Sequence, residues 1–364
     1  MDKITSPTLD WVQVEVTTSC NGSCIYCPRT LMSKSWANRN MPLELFYELV
    51  PFLRHTGLVY LQGWGEPLLQ NDLFEMIRIC KDRGKRVGFT TNGMLLTENT
   101  VRTLVDLQLD IIGISLAGTT AKTHNRIRKG TDINKIIANL ERLCEIKAEK
   151  NTEFPAVHLA YLMLKSNFHE IKDILTLGKL LGAKEIIASN LTLIVDPKLS
   201  PEAVFNDTVR MDYYRNTLDK IRQQATRENI ILDYHGPGLD NTSVRCRENV
   251  HRACVINVEG EVVPCVFANP ILPSYYIFQG QSLPLRGMSF GNIRNQNLTQ
   301  IWNKKEYAEL RALFDPETMR IGGQIRSEMP QCCKRCYKRL EETVSSHQAL
   351  SEAAPVSDMV RALC

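Results

Sequence analysis

The sequence predicts an α/β protein, a partial (β/α)6 TIM-like barrel followed by a small cysteine-rich C-terminal domain. Short β-rich runs alternate with amphipathic helical stretches through the first two-thirds, which indicates βαβ units and a parallel sheet. Near Val244 the composition shifts to cysteine and β-type residues, and 364 residues are enough for two domains. We therefore expect a barrel over residues 1–235, a second domain over 236–345 and a C-terminal tail over 346–364.

Six apolar, β-branched runs are the candidate barrel strands. They cover residues 12–17, 58–62, 86–91, 110–116, 156–164 and 184–190. The segments between them carry apolar residues at helical spacing, as in Phe74, Ile77 and Cys80. These segments predict helices over 43–54, 71–83, 97–107, 132–149 and 168–181, and a further helix is expected over about 207–227. In α/β barrels the chemistry lies at the C-terminal ends of the strands.

Composition excludes several classes of protein. The net charge of +4 is too small to predict a nucleic-acid partner. The N-terminus lacks the apolar core of a signal peptide, and no apolar run is long enough to cross a membrane. Twelve cysteines without a secretory signal indicate metal ligation in a reducing compartment. We therefore expect a cytoplasmic protein without a membrane partner.

The most informative motif is the loop TTSCNGSCIYCPRT, which follows the first predicted strand. Cys20, Cys24 and Cys27 are spaced C-x3-C-x2-C, and thiolates are the preferred ligands of iron–sulfur clusters. Three ligands leave one iron of a four-iron cluster open to a substrate or cofactor. The alternatives are a structural zinc site or a chance group of cysteines, but structural zinc usually takes paired C-x2-C ligands.

With Tyr26 as the aromatic residue, the loop resembles the C-x3-C-x-aromatic-x-C motif of radical S-adenosylmethionine (SAM) enzymes. The resemblance covers roughly residues 10–235 and implies an incomplete TIM-like barrel. It also implies a [4Fe-4S] cluster whose open iron holds exchangeable SAM. An electron from that cluster cleaves SAM to a 5′-deoxyadenosyl radical, so a ferredoxin- or flavodoxin-type electron donor is implied as a partner.

The same resemblance implies the SAM contacts. The GWGEP segment after the second strand matches the family's glycine-rich SAM loop, which gives Gly63, Gly65 and Glu66 that role, although Gly and Pro are also routine in turns. Further candidates at or after later strands are Asn92, Ser115 and either Arg126 or Arg128. His124 is the candidate general acid or base.

The C-terminal region resembles the auxiliary-cluster extension called SPASM, or its shorter twitch relative. Cys246, Cys254 and Cys265 surround VINVEGEVVPC, with a hairpin turn expected at Glu259-Gly260, and Cys333-x2-Cys336 follows later. The two further cysteines of the family pattern are absent after Cys336. The resemblance therefore implies one auxiliary [4Fe-4S] cluster, held by the first three cysteines.

The fourth auxiliary ligand stays open at this point. Cys332, Cys333 or Cys336 completes the cluster, or one position is left for substrate, and Cys332 is a possible ligand or substrate thiol. Cys364 is a further possible ligand at the chain end. A zinc ribbon that pairs Cys254 and Cys265 with Cys333 and Cys336 would also satisfy the spacing.

The whole chain resembles most the branch that matures tungsten-dependent aldehyde:ferredoxin oxidoreductases, which implies a client enzyme or its metal cofactor as substrate. Three clustered thiolates also suit a soft ion such as arsenite, and a similar C-C-x-x-C group occurs in a radical SAM enzyme that transfers the aminocarboxypropyl part of SAM to arsenic. A non-catalytic iron–sulfur electron carrier would also use these cysteines. A tRNA-modifying protein is disfavoured by the small net charge.

Overall fold

The computed structural model describes residues 8–240, 246–315 and 328–342. In this part of the chain a nine-stranded sheet has the order β7-β6-β5-β4-β3-β2-β1-β8-β9, and a separate hairpin pairs β10 with β11. Strands β1 to β8 pair in parallel, and β9 is antiparallel to β8. The strands are β1 Leu9–Val14, β2 Thr56–Tyr60, β3 Arg86–Thr91, β4 Ile111–Leu116, β5 Ala156–Met163, β6 Ala183–Asn190, β7 Ile231–Tyr234, β8 Ala253–Ile256, β9 Val262–Val263, β10 Tyr275–Phe278 and β11 Gln281–Pro284.

Helices connect the parallel strands, as βαβ units require. The α-helices of the described residues are α1 Pro28–Leu31, α2 Leu43–Tyr47, α3 Leu73–Lys81, α4 Glu98–Asp106, α5 Ala121–Ile127, α6 Ile133–Glu149, α7 Ile174–Leu180, α8 Met211–Arg227, α9 Leu298–Trp302 and α10 Lys305–Ala312, with two short ones at Gln331–Lys334 and Tyr337–Leu340. Short 3-10 helices cover Val50–His55, Pro67–Leu69, Phe168–Asp173, Pro197–Glu202, Val204–Asn206, Thr208–Arg210 and Val266–Ala268. None of these described helices is long and apolar enough to cross a membrane.

The sheet curves into a partial barrel. Its interior is packed toward the N-terminal ends of the strands and open at their C-terminal ends. Buried side chains from strands far apart in the sheet form one cluster: Trp11, Leu58, Tyr60, Ile111, Ile187 and Ala253. One cluster that joins residues of β1 and β6, which are not neighbours in the sheet, indicates that the sheet is strongly curved. The cluster closes the lower barrel, so the ends of the strands above it line a cavity.

The C-terminal region extends the same sheet. Strand β8 lies beside β1, with Val12 opposite Cys254, and β9 then turns back along β8. The turn between them contains Gly260 with φ of +90°, as expected for a hairpin at Glu259-Gly260. Sheet pairing therefore continues across the predicted domain boundary at residue 235.

The predicted α/β fold is confirmed, with local differences. The first strand spans Leu9–Val14 instead of 12–17, and the predicted helix over 43–54 divides into α2 and a 3-10 helix that contains Pro51, which has no amide hydrogen to donate. The predicted helix over 168–181 likewise begins as a 3-10 helix. Strand β7 was not predicted because it is only four residues long and follows α8 directly.

Candidate active site and auxiliary metal centre

A cavity of about 240 Å3 opens at the C-terminal ends of β1 to β6. All three cysteines of the C-x3-C-x2-C loop line it, together with the segments that follow β2, β3 and β4. Residues from the far C-terminal region, Val266, Phe267 and Lys338, form another part of its wall. Of the predicted SAM contacts it brings together Gly63, Gly65, Glu66, Asn92, Ser115 and Arg128.

Backbone contacts hold the cysteine loop in place. The amides of Ser23 and Ile25 donate to the carbonyls of Lys129 and Ile127, at 2.6 and 3.0 Å. Cys27 caps the N-terminus of α1, whose first residue is Pro28, a residue suited to the first turn of a helix. Burial raises the pKa of Cys27 to about 11. The Cys27 thiol must therefore lose its proton when metal binds, which links metal binding to pH.

The GWGEP segment lies directly on the chain that leads into the cysteine loop. The amide of Gly65 donates to the Thr17 carbonyl at 3.2 Å, and the amide of Glu66 donates to the Ser19 carbonyl at 2.7 Å. A side chain at Gly65 would meet this backbone, because an added Cβ would lie 2.4 Å from the oxygen of Thr17. The glycine is what permits the close approach.

The Glu66 side chain is buried and hydrogen-bonded to the end of β3. Its Oε1 accepts from the Thr91 hydroxyl at 2.6 Å and from the Leu68 amide at 3.3 Å, and its Oε2 accepts from the Asn92 amide at 2.8 Å. Burial raises the pKa of Glu66, and these hydrogen bonds oppose that shift. A carboxylate can accept more than three hydrogen bonds, so an ammonium group in the cavity would still find an acceptor here.

Asn92 connects this region to the cysteine loop. Its side-chain amide donates to Oδ1 of Asn21 at 2.7 Å and lies 4.0 Å from Sγ of Cys20. Ser115 lies near the end of β4 and is partly exposed toward the cavity. The polar ends of β3 and β4 therefore face the same space as the thiols.

The structure separates the two candidate arginines. Arg128 lines the cavity, donates to the Tyr26 hydroxyl and has its Nε buried without a partner. Arg126 is exposed and does not line the cavity. Arg128 is therefore the one placed to meet a carboxylate beside the cysteine loop.

His124 lies away from the cavity. It is fully buried, its Nδ1 accepts from the Ala117 amide at 3.4 Å, and its Nε2 lies 3.1 Å from the Thr131 hydroxyl. Burial, followed by the nearby Arg128 charge, lowers the pKa of His124 to about 3. A neutral, enclosed imidazole that joins α5 to the next loop cannot touch a ligand in the cavity.

Sequence reasoning missed several polar residues of the cavity wall. Gln13 is 1% exposed, and its side-chain amide donates to the Gln62 carbonyl at 2.9 Å. The side-chain polar atoms that are buried without a hydrogen-bond partner in this wall are Gln13 Oε1, Gln62 Oε1, Trp64 Nε1, Arg128 Nε and Asn190 Oδ1. Unpaired buried polar atoms are costly in a closed core, so the wall suits a polar ligand such as SAM. Gln13 alone had a visible signal, a polar residue inside an apolar strand.

A second, smaller cavity of about 30 Å3 lies within the C-terminal region. Four cysteines line it, Cys246, Cys265, Cys333 and Cys336, together with apolar residues of α10 and its C-terminal end. Burial raises the pKa of Cys246 and Cys265 and brings that of Cys336 to about 11. In the described residues no three His, Cys, Asp or Glu side chains are grouped so that they could hold a single metal ion. Four thiols around one small cavity are the donor type of a four-iron cluster.

Cys254 lies outside this cavity. It is 1% exposed in β8, where alternation along the strand sends its side chain into the main core. The zinc-ribbon set that needs Cys254 is therefore not assembled in this structure. Cys332 lines a third cavity of about 40 Å3 with Cys265, Cys333 and Cys336. Cys364 lies outside the described residues.

The central and auxiliary cavities share a wall. Phe267 lines all three cavities and stacks on Trp64 with ring centroids 6.4 Å apart. Lys338, 4% exposed, lines the central cavity and pairs with Glu248 of the auxiliary cavity at 2.6 Å. The central and auxiliary cavities therefore meet at Phe267 and at the Lys338–Glu248 pair.

Comparison with known proteins agrees with this site. The model of the radical SAM superfamily matches residues 14–178, and the SPASM model, an iron–sulfur cluster-binding domain, matches residues 246–337. Fold and site together define an enzyme that works through SAM and an iron–sulfur cluster. The chain belongs to the radical SAM superfamily and carries a SPASM domain. Its cofactors are a [4Fe-4S] cluster with SAM and an auxiliary iron–sulfur cluster.

Several curated relatives cover most of the chain. The tungsten-containing aldehyde ferredoxin oxidoreductase cofactor-modifying protein of Pyrococcus furiosus is 27% identical over 314 residues, which are 83% of each chain. The AdoMet-dependent heme synthase of Methanosarcina barkeri is 26% identical over 349 residues, 89% of this chain and 90% of the relative.

Solved structures support the fold. SuiB of Streptococcus suis, bound to SAM, gives a TM-score of 0.63 at 15% identity and covers 91% of this chain and 71% of its own. The anSMEcpe enzyme with AdoMet and a peptide gives 0.60 at 18% identity, covering 91% and 87%.

Proposed function

We propose that this enzyme cleaves SAM reductively to start radical chemistry in the maturation of a client enzyme or of its metal cofactor, of the tungsten oxidoreductase type. The observation that carries the proposal is the similarity to the P. furiosus cofactor-modifying protein, which extends over 83% of both chains. A similarity over 83% of the chain extends through both the barrel and the C-terminal region.

In this proposal Cys20, Cys24 and Cys27 hold the SAM cluster, since they share one loop at the cavity. That cluster, when bound, supplies one electron for cleavage of a carbon–sulfur bond of SAM. Arg128 would pair with the SAM carboxylate, and Glu66 with the backbone of Gly63–Gly65 would receive its ammonium group. Glu66 is buried and Arg128 half-buried at the cavity wall. Because water is largely excluded there, their electrostatic interactions with a charged ligand are stronger.

We assign the auxiliary cluster to Cys246, Cys265, Cys333 and Cys336. This differs from the set expected from sequence, because Cys254 points into the core whereas the other four thiols share one cavity. An electron donor of ferredoxin or flavodoxin type would serve the SAM cluster, because the reductive cleavage consumes an electron.

The test is product analysis after anaerobic reconstitution with iron and sulfide. Addition of SAM and dithionite should yield 5′-deoxyadenosine, and a tungsten oxidoreductase isolated from cells that lack this protein should gain activity on incubation with it. Failure of SAM cleavage would favour a non-catalytic electron carrier. Cleavage without any effect on the oxidoreductase would remove the tungsten-enzyme assignment alone.

A second candidate rests on Cys332. Its thiol faces the third cavity, which shares Thr192, Leu193 and Phe267 with the central cavity. A thiol beside the SAM cavity could hold arsenite for transfer of the aminocarboxypropyl group of SAM. That reaction breaks a different carbon–sulfur bond, so methylthioadenosine as the product, formed only with arsenite, would select it over the maturase function.

A further inference from the structure

Glu15 is a buried carboxylate that connects the SAM side of the cavity to the SPASM domain. It follows β1 directly and is 1% exposed. Its Oε1 accepts from the backbone amide of Trp64 at 3.1 Å. Its Oε2 accepts from the amide of Val258 at 3.2 Å and from the side-chain amide of Asn269 at 3.1 Å. One side chain therefore contacts the GWGEP loop and two separate points of the C-terminal region.

The GWGEP loop is shaped around this carboxylate. A Cβ at Gly63 would lie 2.1 Å from Cγ of Glu15, which is far inside van der Waals contact. Only a glycine therefore lets the loop close over Glu15 and present the Trp64 amide to it. The position of the GWGEP loop thus depends on the conformation of the Glu15 side chain.

The three groups that donate hydrogen bonds to Glu15 are uncharged amides, so the carboxylate depends on all of them for its stabilisation. A buried carboxylate is tolerated only when its oxygens are hydrogen-bonded. Burial raises the pKa of Glu15, and the hydrogen bonds from Trp64, Val258 and Asn269 oppose that shift. Val258 lies in the turn between β8 and β9, and Asn269 follows the 3-10 helix after Cys265. The best arrangement of the carboxylate is reached only when the barrel loop and the SPASM domain are both seated.

We propose that Glu15 is a positioning residue through which the seating of the SPASM domain fixes the SAM-binding loop. SAM affinity in the barrel then depends on contacts made by Val258 and Asn269, which do not line the SAM cavity. The inference concerns SAM binding and is independent of the client or substrate proposed above.

The test is Glu15→Gln in the fully reconstituted protein. The substitution keeps the shape but places an NH2 group against at least one N–H donor, so the loop should shift. We expect the Kd for SAM, measured by anaerobic calorimetry, to rise about tenfold or more, the loss typical of one charged hydrogen bond. Iron content of both clusters should stay at the wild-type level. The matched control is Glu306→Gln, an exposed acid on α10 of the same domain, which should leave SAM affinity unchanged.

Two further variants act from the SPASM side. Asn269→Ala removes one donor without altering the barrel, so SAM affinity should fall by about threefold, within the range for a single hydrogen bond. Glu15→Gln with Asn269→Asp gives the new amide an acceptor and should recover part of the lost affinity. Wild-type SAM affinity in an iron-replete Glu15→Gln protein would overturn the inference. If the Glu15→Gln variant loses iron, unchanged SAM affinity in Asn269→Ala would overturn the inference instead. The inference would also be overturned if SAM affinity in the double variant fell by as much as the two single losses combined.

Discussion

At the scale of single residues, Glu66 is the carboxylate that we propose binds the ammonium group of SAM. Because three donors already surround it, its charge is held in one place at the cavity wall. We expect Glu66→Gln to weaken SAM binding by about tenfold or more, since an amide removes the charge and turns a donor toward Thr91 or Asn92. Calorimetric titration with SAM checks this, with Glu75→Gln on the surface of α3 as the control. Unchanged affinity would make GWGEP only a turn.

Single-cysteine variants distinguish the ligands of the auxiliary cluster from the core cysteine. We expect Cys336→Ala and Cys265→Ala each to lower iron content and part of the iron–sulfur absorbance, because both thiols line the four-cysteine cavity. Cys254→Ala should keep full iron, because its side chain packs in the core, although the lost volume should lower stability by about 1 kcal/mol. Iron counting with absorbance measurements checks this. Iron loss in Cys254→Ala beside full iron in Cys336→Ala would reverse the assignment.

Thiol chemistry gives a pH-dependent prediction for the metal-free protein. A hydrogen bond with Cys333 lowers the pKa of Cys332 to about 7, whereas burial raises that of Cys336 to about 11. Alkylation requires the thiolate. Iodoacetamide should therefore modify Cys332 already near pH 7 and level off above it, while modification of Cys336 should keep rising toward pH 11. Peptide mapping by mass spectrometry distinguishes the two, and equal rates at pH 7 would contradict this order.

At the scale of elements, the loop after β1 supplies all three thiols of the central cavity. We expect Cys20→Ala, Cys24→Ala or Cys27→Ala each to abolish SAM cleavage, because no other cysteine of the described residues lines that cavity. The auxiliary iron should remain, since its thiols line a different cavity. Product chromatography and iron analysis check the two halves separately, and persistent 5′-deoxyadenosine in any variant would contradict the assignment.

The sequence predicted elements well where periodicity was strong. The strands from β2 to β6 and helix α6 lie where alternation and helical spacing indicated them, because their burial is nearly complete on the predicted faces. It failed where tertiary contacts decide. Nothing local distinguishes Cys254 from Cys246 as a ligand, since the strand pairing of β8 with β1 turns the former inward. Arg126 and Arg128 were likewise separable only by the direction of α5.

At the scale of the whole molecule, the SPASM region completes the barrel sheet. β8 covers the edge of β1, and Asp10 pairs with Arg252 at 2.6 Å beside it. We expect a chain that ends at residue 240 to aggregate or to lose SAM binding, because the truncation exposes an apolar edge strand and removes the donors to Glu15. Size-exclusion chromatography with SAM titration checks this. A monomeric fragment with full SAM affinity would show that the barrel is independent.

The Phe267 ring has a consequence for how the enzyme withstands air. This aromatic side chain lines all three cavities, so we expect its replacement by alanine to widen the connection between them. Dioxygen entering at the mouth of the barrel would then reach the thiols on both sides. We expect the iron–sulfur absorbance to bleach in steps in air when Phe267 is present and in a single phase in Phe267→Ala, so that this ring would set how long the enzyme survives exposure to air.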